Sequence, residues 1–117
     1  MKYTELPGIK KELSAIYLGT GNYGSDISPS ESFKLLDRFA ELGGTFIDTA
    51  HVYGAWDTSG YNGGYGNSEK VIGEWLDKTG MRQRIAVGTK GAHPDLDTGV
   101  SRMNPADIDT HIAESLQ

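Results

Sequence analysis

Cysteine is absent from the 117 residues, which excludes disulfide frameworks, thiolate metal sites and cysteine nucleophiles. No apolar run approaches the roughly 18 residues that a membrane-spanning helix needs. The opening Met1-Lys2-Tyr3-Thr4-Glu5 lacks the apolar core of a secretory leader. Basic residues number 11 against 16 acidic ones, and they form no cluster, which speaks against a nucleic-acid footprint. These absences lead to the expectation of a soluble cytoplasmic protein with neither a nucleic-acid nor a membrane partner.

What is present is ordinary in bulk and unusual in one respect. Hydrophobic residues make up 37% and charged residues 23%, enough for one folded domain with a modest core. Glycine, at 16 residues, is about twice its usual frequency of roughly 7%. Five of these glycines fall between Gly54 and Gly66, beside Trp56, Tyr61 and Tyr65, and mark a loop.

Three short apolar runs, Ala15 to Leu18, Thr45 to Ile47 and Ile85 to Val87, read as strands covered on both faces, since none alternates with polar residues. Each is followed by helix signals. Ser28-Pro29-Ser30-Glu31 is a capping box with proline at the first helical position. It opens a helix that presents Phe33, Leu36, Phe39 and Leu42 on one face and stops at Gly43-Gly44. A second helix fits Ser68 to Lys78, burying Ile72, Trp75 and Leu76 before Gly80. A third opens at Asn104-Pro105 and is expected to bury Ile108, Ile112 and Leu116. Leu6-Pro7-Gly8-Ile9 is a turn signal that heads an N-terminal hairpin. The βαβ alternation predicts an α/β fold with a parallel sheet. Three strands leave bare edges on both sides. A flavodoxin-like sheet would need two more units and an eight-fold barrel five, and composition does not choose between them.

The strand ends carry the chemistry. Thr45-Phe46-Ile47 runs into Asp48, with Tyr53 five residues on, and the third strand ends in Thr89-Lys90. Carboxyl ends of parallel strands are where α/β proteins bind ligands. A carboxylate there would hold the ammonium, and an ammonium beside a phenol makes its proton easier to release. Taken singly, Asp48 also fits a turn or cap, Tyr53 a half-buried aromatic and Lys90 a solvated charge. Only their joint placement points to a site.

Gly44-Thr45-Phe46-Ile47-Asp48-Thr49-Ala50-His51-Val52-Tyr53-Gly54, followed by Asn67-Ser68-Glu69-Lys70-Val71-Ile72-Gly73, resembles the signature of the aldo-keto reductase family. Ile85-Ala86-Val87-Gly88-Thr89-Lys90 is similar to that family's third strand, and Ile16-Tyr17-Leu18-Gly19-Thr20-Gly21 to its first. Lys2 to Ser14 resembles the hairpin that plugs the barrel bottom, and Asp107 to Leu116 the third helix. The resemblance covers almost the whole chain. It implies a (β/α)8 TIM barrel, of which residues 1–117 would be a partial domain: the hairpin and about the first three βα units. It also implies NADPH-dependent reduction of an aldehyde, ketone or sugar-type carbonyl, with NADH as the alternative cofactor.

Residue by residue, the resemblance makes Tyr53 the proton donor, Lys90 the group that activates it, and Asp48 the anchor of Lys90 beside the nicotinamide ribose. Gly19 and Thr20 would lie close to the nicotinamide. Trp56 would wall the substrate pocket, or else pack on Tyr61 or Tyr65. The family's fourth catalytic residue is a histidine at the end of a fourth strand. His51, His93 and His111 fall in the second loop, the third loop and the third helix, so none of them is that residue. The main contacts to the cofactor's phosphate and adenine belong to the last two units of the barrel. The rival readings are a non-catalytic nucleotide-binding barrel and an inert fragment, and the isolated chain is expected to be inactive. No metal site is expected. Asp95-Leu96-Asp97-Thr98-Gly99 lacks a third acidic position for a calcium loop, and the histidines show no ligand spacing. The sequence leaves the oligomeric state open.

Overall fold

The computed structural model describes residues 1–56 and 64–117. Two strands, β1 (Tyr3–Thr4) and β2 (Leu13–Ser14), pair antiparallel as the expected hairpin. Its turn closes with the Ile9 amide on the Leu6 carbonyl at 3.1 Å, and Gly8 takes a left-handed φ of 88°. A second, parallel sheet holds β3 (Leu18–Gly19), β4 (Phe46–Asp48) and β5 (Ala86–Gly88), with β4 in the middle. Gly19 lies opposite Asp48, and Asp48 opposite Gly88, so the three strands end level. The helices α1 (Pro29–Glu41), α2 (Asn67–Thr79) and α3 (Pro105–Ser115) follow β3, β4 and β5 in turn. The described residues form part of an α/β fold with no closed barrel.

The caps read from the sequence are formed. Ser28 accepts the Glu31 amide at 3.3 Å, and its hydroxyl donates to the Glu31 carboxylate at 3.1 Å. Asn104 accepts the Asp107 amide at 3.0 Å, and Gly80 ends α2 in the left-handed region at φ 67°. Leu36, Ala40, Ile47, Val71, Ile72, Trp75, Leu76 and Ile85 form the core between α1, α2 and the sheet. The Trp75 indole donates to Asp37 at 2.8 Å, clasping α2 to α1.

The hairpin seals the amino ends of the parallel strands. The hydroxyl of Thr45 donates to the Glu12 carbonyl at 2.7 Å and accepts the Ser14 amide at 2.8 Å. The Lys11 ammonium donates to the carbonyls of Arg82 and Ile85, both at 2.7 Å.

Three expectations need correction. Parallel pairing begins only at Leu18, so the first strand starts later than its apolar run, and Ile16 and Tyr17 are exposed. Leu42 caps α1 and is exposed rather than completing its buried face. On α3 the buried residue is His111, while Ile108, Ile112 and Leu116 are exposed, because the neighbouring loops cover only the His111 side. No helix among the described residues is long and apolar enough to cross a membrane.

Candidate active site

Backbone pairing carries β4 and β5 past their last strand residues. The Thr49 amide donates to the Gly88 carbonyl and the His51 amide to the Lys90 carbonyl, each at 2.9 Å. This continued ladder aims Asp48 and Lys90 at one rim. The Lys90 ammonium donates to Asp48 Oδ1 and to the Thr49 carbonyl, both at 2.7 Å. The same nitrogen lies 4.9 Å from the centre of the Tyr53 ring. Tyr53 reaches the rim on a tight turn closed by its own amide on the Ala50 carbonyl at 2.9 Å. Desolvation pulls the Lys90 pKa down, but the hydrogen bond and charge of Asp48, with help from Tyr53, outweigh it and raise it above 10.5. Lys90 is therefore a fixed cation at any physiological pH. Asp48, Tyr53 and Lys90 thus come together at this rim.

Thr20 and Gly19 occupy the same rim in different ways. Apart from its chain neighbours, no atom among the described residues lies within 4 Å of where a Cβ on Gly19 would sit, so the backbone at the end of β3 is open. Thr20 is fully buried, and its hydroxyl donates to the Asp48 carbonyl at 3.0 Å. Its hydroxyl therefore braces the rim. The rest of this brace is not legible in the sequence. The Ser68 hydroxyl lies 2.8 Å from Thr20 Oγ1 and 3.0 Å from Thr49 Oγ1, so buried hydroxyls bind the ends of β3 and β4 to the start of α2. Isolated Ser and Thr residues carry no periodic signal that would reveal it.

Trp56 sits edge-on to Tyr53, with ring centres 6.0 Å apart, and its indole donates to Asn22 at 3.1 Å. That bond ties the loop after β4 to the loop after β3 over the rim. Packing on Tyr65 is not what the structure places there: Tyr65 stacks on His51 and lies against His93. Tyr61 and the middle of the glycine-rich loop lie outside the described residues.

Next to the rim the structure gathers His51, His93 and His111, with ring centres 4.5 to 5.2 Å apart. Burial, then the neighbouring His51, Arg102 and His93, holds the His111 pKa below its ordinary 6.5. Three different segments supply these histidines, so their linear spacing could not announce the cluster.

The family model of the aldo/keto reductase family matches residues 15–117, and the chain belongs to that family. It is 35% identical over 95 residues to the uncharacterized oxidoreductase YrpG of Bacillus subtilis, covering 80% of this chain and 27% of that protein. It is 39% identical over 92 residues to an aryl-alcohol dehydrogenase [NADP(+)] of Phanerodontia chrysosporium, covering 72% of this chain and 21% of the other. An aldo-keto reductase structure from Bacillus halodurans, in its holo form, matches with a TM-score of 0.70 at 24% identity, over 99% of this chain and 35% of that one, a likeness of fold. The chain thus spans about a quarter of the length of these curated relatives.

Proposed function

We propose that this chain is the N-terminal part, residues 1–117, of a (β/α)8-barrel oxidoreductase that reduces aldehyde or ketone carbonyls with NADPH, Tyr53 being the proton donor. The observation that carries this reading is the Lys90 ammonium, held 2.7 Å from Asp48 and 4.9 Å from the Tyr53 ring centre. An ammonium fixed beside a phenol stabilises the phenolate left after proton transfer, so the tyrosine can give its proton to a developing alkoxide. Asp48 keeps the ammonium in place, and the buried hydroxyls of Thr20, Thr49 and Ser68 keep Asp48 in place.

The residues present fit the nicotinamide end of the cofactor. The Gly19 backbone is open, and the Asp48 and Lys90 side chains are 31% and 48% exposed, within reach of a bound ribose. When bound, the cofactor supplies the hydride, and the protein supplies orientation and the proton. Trp56, fixed by Asn22, forms one wall of the carbonyl pocket. The NADP(+) in the name of the Phanerodontia relative favours NADPH over NADH.

The test is Tyr53→Phe in the complete barrel. Reduction of a reactive aldehyde should fall by at least about a thousandfold, the scale of general-acid catalysis. Cofactor affinity, read by quenching of protein fluorescence, should stay within about twofold. Near-normal turnover would remove Tyr53 from this role.

A further inference from the structure

We propose that His51, His93 and His111, supported by Glu114, form a binding site for a divalent transition-metal ion of the zinc class beside the active-site rim. The three imidazoles come from the loop after β4, the loop after β5 and the middle of α3. Each offers a nitrogen, and these atoms all lie within 4.8 Å of one another. His51 and His111 are buried, and His93 is half-buried.

The hydrogen bonds set the histidines up as ligands. His93 Nδ1 lies 2.7 Å from the Pro94 carbonyl, which only accepts, so its proton sits on Nδ1 and the lone pair on Nε2. His51 Nε2 lies 2.6 Å from the Glu114 carboxylate, which holds a proton there and turns Nδ1 inward. With both protons on the outer nitrogens, His51 Nδ1 and His93 Nε2 face each other 2.9 Å apart as lone pairs, a repulsive contact that a cation between them relieves. Anchoring the outer N–H on a carboxylate or backbone carbonyl is how metal-binding histidines are oriented. Four nitrogens around a tetrahedral ion at about 2.0–2.1 Å stand roughly 3.3 Å apart, so a small rotation of His93 opens this contact into a bite.

Two features oppose the ion and locate the adjustments it needs. The Arg102 guanidinium lies 3.1 Å from His93 Nε2 and must swing aside. His111 Nδ1 accepts the Ala92 amide at 2.9 Å, so His111 must release that bond to close the site. An imidazole set with a nearby carboxylate suits zinc, copper or nickel, whereas calcium and magnesium prefer all-oxygen shells. Once filled, the site would pin α3 to the segment between Asp48 and Tyr53. The proposal does not depend on the reductase reading.

The experiment is a titration of the 117-residue chain with zinc by calorimetry and with cobalt(II) by absorption. One ion should bind per chain, with the intense visible bands of tetrahedral cobalt, and magnesium should give no heat. His93→Ala should weaken zinc at least tenfold, and Arg102→Gln should strengthen it severalfold, with circular dichroism unchanged. Glu114→Gln, on a half-exposed side chain, should weaken zinc about tenfold and stands in if His93→Ala fails to fold. No saturable binding at millimolar zinc, or equal binding by the parent and these variants, overturns the proposal.

Discussion

Lys90 makes two hydrogen bonds of 2.7 Å with an ammonium that is still half in water. Exposure limits what this pair adds to stability, to below about 1 kcal/mol for a contact of its kind. Its importance is positional. Because the folded-state pKa lies above the ordinary 10.5, the stabilisation is complete below that value and is lost as pH rises through the raised one. The melting temperature of the parent should therefore exceed that of Lys90→Met by a small, constant margin from neutrality to about pH 10, closing only beyond it. A margin that fades near pH 8 would show that Asp48 and Lys90 are not paired in solution. The same residue was legible beforehand because a lysine directly after a strand is conspicuous. The hydroxyls of Thr49 and Ser68 were not, since each becomes informative only when a partner from another element is beside it.

Helix α1 starts where Ser28 and Glu31 exchange hydrogen bonds, and the loop after β4 turns at Gly54. These two devices have different strengths. Losing an exposed N-cap costs about 1 kcal/mol, because one amide is left to water. Gly54 adopts φ 82°, and a Cβ there would lie 2.7 Å from the Asn67 side chain and 2.9 Å from the Tyr23 carbonyl. A side chain at that position is strained and also crowded against backbone. Urea unfolding should rank Gly54→Ala as more destabilising than Ser28→Ala, with the latter near 1 kcal/mol. The reverse order would mean that the loop yields without cost. Capping boxes are written in four adjacent residues, so both N-caps could be read in advance. Strand limits could not: β3 and β4 end a residue beyond the last apolar residue of their runs because the neighbouring strand decides where pairing stops.

Among the described residues, one face of the molecule is covered and another is exposed. The hairpin closes the amino ends of the strands, and α1 and α2 bury their apolar faces. Ile112 and Leu116 of α3 stay 52% and 81% exposed, and β3 and β5 each pair on one side only among the described residues. On the proposed reading, the catalytic histidine and the main cofactor-phosphate contacts belong to later units of the barrel. The purified 117-residue chain should then oxidise no NADPH in the presence of a reactive aldehyde. Turnover at a rate proportional to chain concentration would overturn that division of labour.

Local order was determined by the sequence itself: the caps, the hairpin turn, the alternation of strand and helix, and the aldo-keto reductase motif around Asp48 and Tyr53. Such features depend on neighbours a few residues apart, and their physics is complete at that range. The tertiary structure alone decided that Thr20 turns inward to brace Asp48, that α3 buries a histidine instead of its aliphatic face, and that His51, His93 and His111 meet. Each of those outcomes is set by which surface packs against which. That is a property of distant segments brought together, and no stretch of the chain contains it.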